Sequence, residues 1–319
     1  MINIKRIIFE YLKKKRQGYE NKVFQKILDK NDEISLVDVG GYKGIQERWK
    51  KIEQFIDFHT FEPNPTEAKK ISGNSKKLSV HNEALSDHDG EIVLNICKEP
   101  GVSSVLEPNI DFLKNFRDIE RYEIVNKLNV KCKKLDSVNI NKIDFIKIDV
   151  QGYNLEVLKG SIESLKKCIG VEIECEFKQI YKNQSMFKDV ENFLNNSNFE
   201  LIDFLDIVRW CEDRKEKNSL NIRGEVVFVN AFFLKKNIEN YVDNLANFKK
   251  ILTILILFGQ YEKVYKLINI FEKKYQLNSN FKKGVFKLSK SIKNIENFNK
   301  LFILISKIFG SEFQTSILK

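Results

Sequence analysis

A carboxylate stands at the tip of one apolar run in this chain, placed where it could do chemistry. The run Ile143-Asp144-Phe145-Ile146-Lys147-Ile148 reads as a buried strand that delivers Asp149, turns through Gln151-Gly152 and enters a helical stretch from Asn154. In α/β enzymes ligands gather beyond the carboxyl ends of parallel strands, where side chains leave the packed sheet. Asp149 could there take a proton from a hydroxyl as a general base. It could equally serve structure, by accepting hydrogen bonds from the backbone N–H groups of the turn at Gly152.

Upstream, Ile34-Ser35-Leu36-Val37-Asp38-Val39-Gly40-Gly41-Tyr42-Lys43-Gly44 repeats the pattern of strand, acid and glycine turn. Glycine lets the backbone turn sharply and approach a ligand closely, and the helix that follows offers free N–H groups. The spacing Asp38-x-Gly40-x-x-x-Gly44 is neither the GxGxxG of a dinucleotide site nor a P-loop. The next apolar run, Phe55 to Phe61, ends on Glu62-Pro63-Asn64-Pro65. An acid closing the second strand of a doubly wound sheet can accept hydrogen bonds from both hydroxyls of a ribose.

Further candidates for proton or cation chemistry lie on Val171-Glu172-Ile173-Glu174-Cys175-Glu176-Phe177. Alternation along a strand puts Glu172, Glu174 and Glu176 on one face. Three such carboxylates repel one another unless a cation, a lysine or proton uptake relieves them. With Asp149 they could hold Mg²⁺, which prefers oxygen ligands, although sheet-edge carboxylates are as often simply solvated. Glu174 and His81 are alternative bases to Asp149; His59 and His88 read as structural.

These residues need a frame. Strand and helix signals alternate from residue 34 to about 236: Ile169 to Phe177, Phe199 to Phe204 and Val226 to Leu234 as strands, Met186 to Asn195 as a helix. The pattern predicts an α/β fold, a doubly wound, mostly parallel sheet covered on both faces. Beyond it Tyr241, Leu245, Phe248, Leu252 and Leu255 recur at helical spacing, and Gly259 breaks the pattern before Val264, Leu267, Ile268 and Phe271 resume it. The expected division is an N-terminal helical segment over 1–33, a catalytic domain over 34–236 and a basic helical extension over 237–319.

The blocks Val37 to Gly44, Phe61-Glu62-Pro63-Asn64-Pro65, Glu83-Ala84-Leu85-Ser86-Asp87, Ser103 to Asn109, Asp144 to Gly152, Val171 to Phe177 with Ile180-Tyr181, and Arg223-Gly224-Glu225 occur in this order. Together they resemble the FkbM family of S-adenosylmethionine-dependent methyltransferases, over about Leu36 to Leu234, in a branch with Gln before the glycine. The resemblance implies a Rossmann-like fold, S-adenosylmethionine as cofactor and O-methylation of glycans or secondary metabolites. It also implies that Asp38, Gly40 and Gly44 line the methionine end, that Glu62 binds ribose and that Glu83, Ala84 and Leu85 flank adenine. Two positions depart from the family: Gly41 replaces a common Ala, and Asn154 a common Glu. The second removes a carboxylate near Asp149 and leaves open a catalytically inactive, cofactor-binding scaffold.

Composition narrows the remaining classes. The chain has 319 residues and a formal charge of +10, and the segment from residue 240 carries 14 Lys and no Arg against five acids, so +9 of the +10. The near-neutral catalytic part argues against nucleic acid as a partner, because phosphate neutralisation needs basic residues around the site. The tail could rest on an anionic membrane or bind an acidic protein, or it is an ordinary solvated lysine face. Five cysteines without a CxxC pair argue against a disulfide framework or zinc and for a reducing, cytoplasmic setting. No signal-peptide h-region is evident, and the apolar run Ile251 to Phe258 is far short of the ~20 residues that span a bilayer. A nicotinamide-dependent oxidoreductase is disfavoured by the turn spacing and by the lack of a Tyr-x-x-x-Lys or Cys/His relay.

Overall fold

The computed structural model describes residues 20–212 and 224–276, together with 11, 14, 18, 282–287, 289 and 290. Arg223 and most of the lysine-rich tail after 276 lie outside the described residues. The chain forms two compact units: Glu33–Tyr241, and a second unit drawn from both ends, Met1–Asp32 and Val242–Lys319. The grouping of the two ends is not foreshadowed by the three-part division expected from composition.

Within Glu33–Tyr241 ten strands alternate with helices: β1 Ile34–Val39, β2 Ile56–Phe61, β3 Lys77–His81, β4 Ala84–Leu85, β5 Gly90–Cys97, β6 Ile124–Lys133, β7 Phe145–Ile148, β8 Gly170–Glu176, β9 Phe199–Trp210 and β10 Glu225–Lys235. Seven form one sheet in the order β3-β2-β1-β7-β8-β10-β9. The pairs β1/β2, β1/β7, β2/β3 and β7/β8 are parallel, whereas β10 runs antiparallel to both β8 and β9. This is the doubly wound order with one reversed strand inserted before the last, a Rossmann-like α/β fold. The chain switches from one side of β1 to the other between β1 and β7. That switch point is where such sheets bind ligands.

Valine and isoleucine dominate the central strands because both faces are covered. Val37, Val39, Ile146, Ile148, Val171 and Ile173 form one core layer with Val157 and Leu158 of the helix Asn154–Lys159 and Val190 and Leu194 of the helix Phe187–Asn196. Each such side chain contributes about 1.5–3 kcal/mol when fully buried. The opposite face carries a row of charge. Asp38, Lys147 and Glu172 are register partners on β1, β7 and β8. Lys147 Nζ donates to Asp38 Oδ1 at 2.9 Å, and Arg48 Nη1 donates to Glu172 at 2.7 Å. Burial alone would lower the Lys147 pKa, but the neighbouring Asp38 and Asp149 carboxylates outweigh it and raise it. Removing one member of such a buried pair costs about 3–5 kcal/mol, since it strands a charge.

A second sheet, β4-β6-β5, grows from the long segment between β3 and β7. It carries Leu94 and the loop Pro100–Ser104 over the switch point. In the other unit, helices Leu245–Leu257 and Tyr261–Phe271 follow the expected helical spacing and form an αα-hairpin, turning at Gly259 with φ +71°. Lys249 of that hairpin pairs with Asp29 and Asp32 of the N-terminal segment at 2.7 and 2.8 Å. Among the described residues no helix is long and apolar enough to cross a membrane.

Candidate active site

The carboxyl ends of β1 and β7 meet at one glycine. Gly40 has φ +83°, and a Cβ there would lie 1.9 Å from the Asp149 carbonyl oxygen. The need for glycine therefore comes first from the neighbouring backbone, 109 positions away, and not only from a ligand. Gly41 is constrained likewise, since a Cβ would fall 1.8 Å from Thr60 Oγ1. Gly44, φ +71°, closes the turn by donating to the Gly41 carbonyl at 2.8 Å.

This turn borders a cleft of about 670 Å³, lined by Gly40, Glu62, Ala84, Leu85, Leu94 and Asp149 among others. That space is partly open to solvent. Glu62 is 7% exposed, and its Oε1 accepts from the Asn64 N–H at 2.9 Å. Burial pushes its carboxyl up to about 7, the Asn64 amide opposing and Glu67 and Asp38 adding to the rise. Across the cleft Ala84, Leu85, Leu94 and Val105 offer an apolar wall.

Asp149 stands at the cleft with its side chain 33% exposed. It does not cap the turn. Its Oδ1 accepts instead from Gln151 Nε2 at 2.9 Å, and Lys147 Nζ lies 3.9 Å from Oδ2. The same Gln151 amide donates to Glu174 Oε1 at 3.1 Å, and Gln151 Oε1 accepts from the Tyr181 hydroxyl at 3.0 Å. Gln151 is held in the left-handed region at φ +53°, with its carbonyl accepting from Ser104 Oγ at 2.7 Å. Such a backbone persists only where its surroundings over-determine it.

Four of the seven expected cofactor residues, Gly40, Glu62, Ala84 and Leu85, line the cleft. Asp38 lies beneath, bonded to Lys147; Gly44 shapes the turn; Glu83 pairs with Lys133 at 3.1 Å. Of the expected bases, Asp149 faces the cleft and Glu174 is joined to it only through Gln151. Burial, then the Asp149 and Glu176 carboxylates, raise Glu174 well above the usual carboxylate range. His81 stacks on Phe61 at 4.4 Å and meets His59 at 3.3 Å, away from Asp149. Burial lowers its pKa, and His59 adds to the effect.

The three glutamates of β8 share a face but not a site. Glu172 goes to Arg48 and Glu174 to Gln151, while neither Glu176 oxygen has a hydrogen-bond partner. Burial pushes Glu176 up to about 8, and the Asp149 carboxylate adds to the rise. Among the described residues no group of three or more His, Cys, Asp or Glu side chains could hold a metal ion, so the Mg²⁺ expectation finds no support. Asn154 is structural: its Oδ1 accepts from Val150 N at 3.0 Å and its Nδ2 donates to the Glu174 carbonyl at 3.0 Å. An amide, donor and acceptor at once, suits that position.

The Methyltransferase FkbM domain matches residues 38–201, just over half of the chain and the segment that builds this cleft. The chain belongs to the FkbM methyltransferase family. The FkbM-family chain is 23% identical over 187 residues to the 2-O-methyltransferase NoeI of Sinorhizobium fredii, covering 55% of this chain and 76% of that protein. It is also similar to the crystal structure of Methyltransferase FkbM from Methylobacillus flagellatus KT, at 13% identity and a TM-score of 0.37. That match covers 64% of this chain but spans only 44% of the Methylobacillus chain. A third similarity is to the magnesium protoporphyrin IX methyltransferase ChlM of Synechocystis PCC 6803 with bound SAM, at 9% identity and a TM-score of 0.33, covering 69% of this chain and 79% of that one. Sequence reasoning on the FkbM-family chain does not single out Leu94, Ser104 or Tyr181. Each reaches the site by a long-range contact, and only the family blocks around Ser103 and Tyr181 hint at them.

Proposed function

We propose that this FkbM-family chain transfers a methyl group from S-adenosylmethionine to a hydroxyl of a glycan or related small-molecule acceptor in the cytoplasm. The observation that carries this reading is the convergence at the β1/β7 switch point of a buried acid, an apolar wall and a half-exposed carboxylate in one cleft. The residues fit the cofactor in kind: Glu62 for the ribose hydroxyls, Ala84, Leu85 and Leu94 for the faces of adenine. The similarity to NoeI, a 2-O-methyltransferase, supports a hydroxyl acceptor.

S-Adenosylmethionine supplies an electrophilic methyl carbon when bound. The chain's own task is to exclude water, orient an acceptor hydroxyl and take its proton. Asp149 is the base in this reading. Gln151 fixes the carboxylate through Oδ1, which leaves Oδ2, near the Lys147 ammonium, as the oxygen that receives the proton. Glu174 acts through Gln151 as a positioning residue and His81 as packing. The domain reading follows: Glu33–Tyr241 is the methyltransferase domain and the paired chain ends are an accessory module that could meet an anionic membrane or an acidic protein.

Isothermal titration with S-adenosylhomocysteine and with NAD tests the cofactor, and mass spectrometry of glycans from a strain lacking the gene tests the acceptor. Binding of S-adenosylhomocysteine alone, with loss of one glycan methyl group, is the expected result. Binding of NAD without S-adenosylhomocysteine would overturn the reading.

A further inference from the structure

We propose that a second cavity in Glu33–Tyr241 is a subsite for an acidic sugar, one bearing a carboxylate or a phosphate. The proposal deepens the methyltransferase reading, on which its link to the acceptor rests. The cavity is an open depression with about 660 Å³ of space, part of it open to solvent, and is lined by Arg117, Arg121, Arg209, Trp210, Phe116 and Tyr122, with Asp118 as its acid. The chain uses lysine almost everywhere, with only eight arginines among its 54 basic residues. Three of those eight converge here from two distant segments. Arginine is the cation suited to the task, because its planar fork binds carboxylate or phosphate through two parallel hydrogen bonds and stacks on rings.

The aromatic side of the cavity is built as well. Trp210 packs against Phe116, Tyr122 and Phe228 with centroids 5.3, 6.4 and 6.4 Å away, so the indole is fixed by its neighbours while remaining partly exposed. A fixed indole presents a flat apolar surface to the C–H face of a pyranose. Arg121 lies over the Tyr122 ring at 5.3 Å, and Arg209 Nη1 donates to the Gly224 carbonyl at 3.1 Å, which leaves donors of each guanidinium for a ligand. The cavity is also tied to the reacting end. Tyr122 packs edge-on against Tyr181 at 6.1 Å, and the Tyr181 hydroxyl bonds Gln151, which bonds Asp149. Tyr122, Tyr181 and Gln151 thus stand between a ligand held here and the candidate base. In the proposal the acidic residue of an oligosaccharide is gripped here while another sugar presents its hydroxyl.

Trp210 reports on the cavity directly, because the other tryptophan, Trp49, is buried elsewhere. The full chain is titrated with glucuronic acid, glucose 6-phosphate, glucose and inorganic phosphate, following tryptophan fluorescence, with S-adenosylhomocysteine affinity measured in parallel. The expected result is that one or both acidic sugars bind at least about tenfold tighter than glucose and than phosphate alone. Arg121→Ala and Arg209→Ala should each reverse that preference, Arg121→Lys should restore it only in part, and S-adenosylhomocysteine affinity should be unchanged in all three. The two acidic arms tell carboxylate from phosphate. Equal binding of inorganic phosphate, or no response to any sugar in a chain that still binds S-adenosylhomocysteine, would overturn the subsite and leave the methyltransferase reading standing. Acidic-sugar binding in a chain that does not bind S-adenosylhomocysteine would keep the subsite and remove its link to methyl transfer.

Discussion

Replacing Glu62 with Gln separates ligand binding from stability in opposite directions. The native carboxyl is pushed from 4.5 up to about 7 by burial, so without ligand the fold favours the protonated form. A group whose folded pKa is raised binds more protons in the native than in the unfolded state, so stability falls as pH rises from about 4.5 through about 7. At 1.36 kcal/mol per pKa unit the cost approaches about 3 kcal/mol above that window. Glu62→Gln removes the charge, so the ligand-free variant should be more stable than wild type at pH 8 and equal to it near pH 4.5. A ribose diol, by contrast, donates to the ionised carboxylate. Wild-type affinity for S-adenosylhomocysteine should therefore rise up to about tenfold per unit between pH 5.5 and 7 and then level. The Gln variant should lose that dependence and bind about 10–100-fold more weakly at pH 8, the value of ~1.5–3 kcal/mol for charge-assisted hydrogen bonds. Calorimetric titration and thermal melts across this pH range read both effects. A flat wild-type profile, or a Gln variant that keeps the slope, would refute the assignment of Glu62 to ribose.

Asp149→Asn keeps the shape at the β7 tip but not the basicity, so turnover on the true acceptor should fall about 10²–10⁴-fold with S-adenosylhomocysteine affinity little changed; near-normal turnover would make Asp149 structural. Gly40→Ala should behave as a folding lesion, because its Cβ meets the Asp149 carbonyl at 1.9 Å; urea melts should show a lowered midpoint, and a midpoint equal to wild type would contradict the contact. Ending the chain at Tyr241 should leave Val23, Phe24, Ile27 and Leu28 without the rest of their unit and make the protein aggregate, whereas Glu33–Tyr241 alone should stay soluble and bind S-adenosylhomocysteine; size-exclusion chromatography of the two fragments decides this.

The parts legible in the sequence are those whose cause is local. β1, β2 and β7 announce themselves as apolar runs, and the acids Glu62 and Asp149 that follow two of these runs are legible as residues at the cleft, although the run alone does not tell a functional acid from a structural one. What stayed hidden is set by partners far along the chain. Lys147 looks like an interruption of an apolar strand until Asp38, 109 positions earlier, is seen beside it. Gln151 reads as a family marker, yet its amide spans Asp149 and Glu174 and its backbone is left-handed. The alternation Glu172, Glu174, Glu176 correctly gives one face, but alternation cannot say that Arg48 claims the first and Gln151 the second. β10 running antiparallel is likewise invisible, since a buried strand has the same composition in either direction.

The two end segments that share a unit carry 23 basic against 9 acidic residues, a net of +14, while Glu33–Tyr241 carries 31 against 35. This unit also has a history during synthesis. Its first segment leaves the ribosome with Val23, Phe24, Ile27 and Leu28 already made, but the helices that complete the unit follow only after the 209 residues of Glu33–Tyr241. At ~5–20 residues per second that is a wait of roughly 10–40 s. Glu33–Tyr241 can fold in that interval, whereas the apolar patch waits for the helices that follow Val242. Like charge on its many lysines, Lys13 to Lys15 among them, would keep nascent copies on one polysome from pairing through that patch in the meantime.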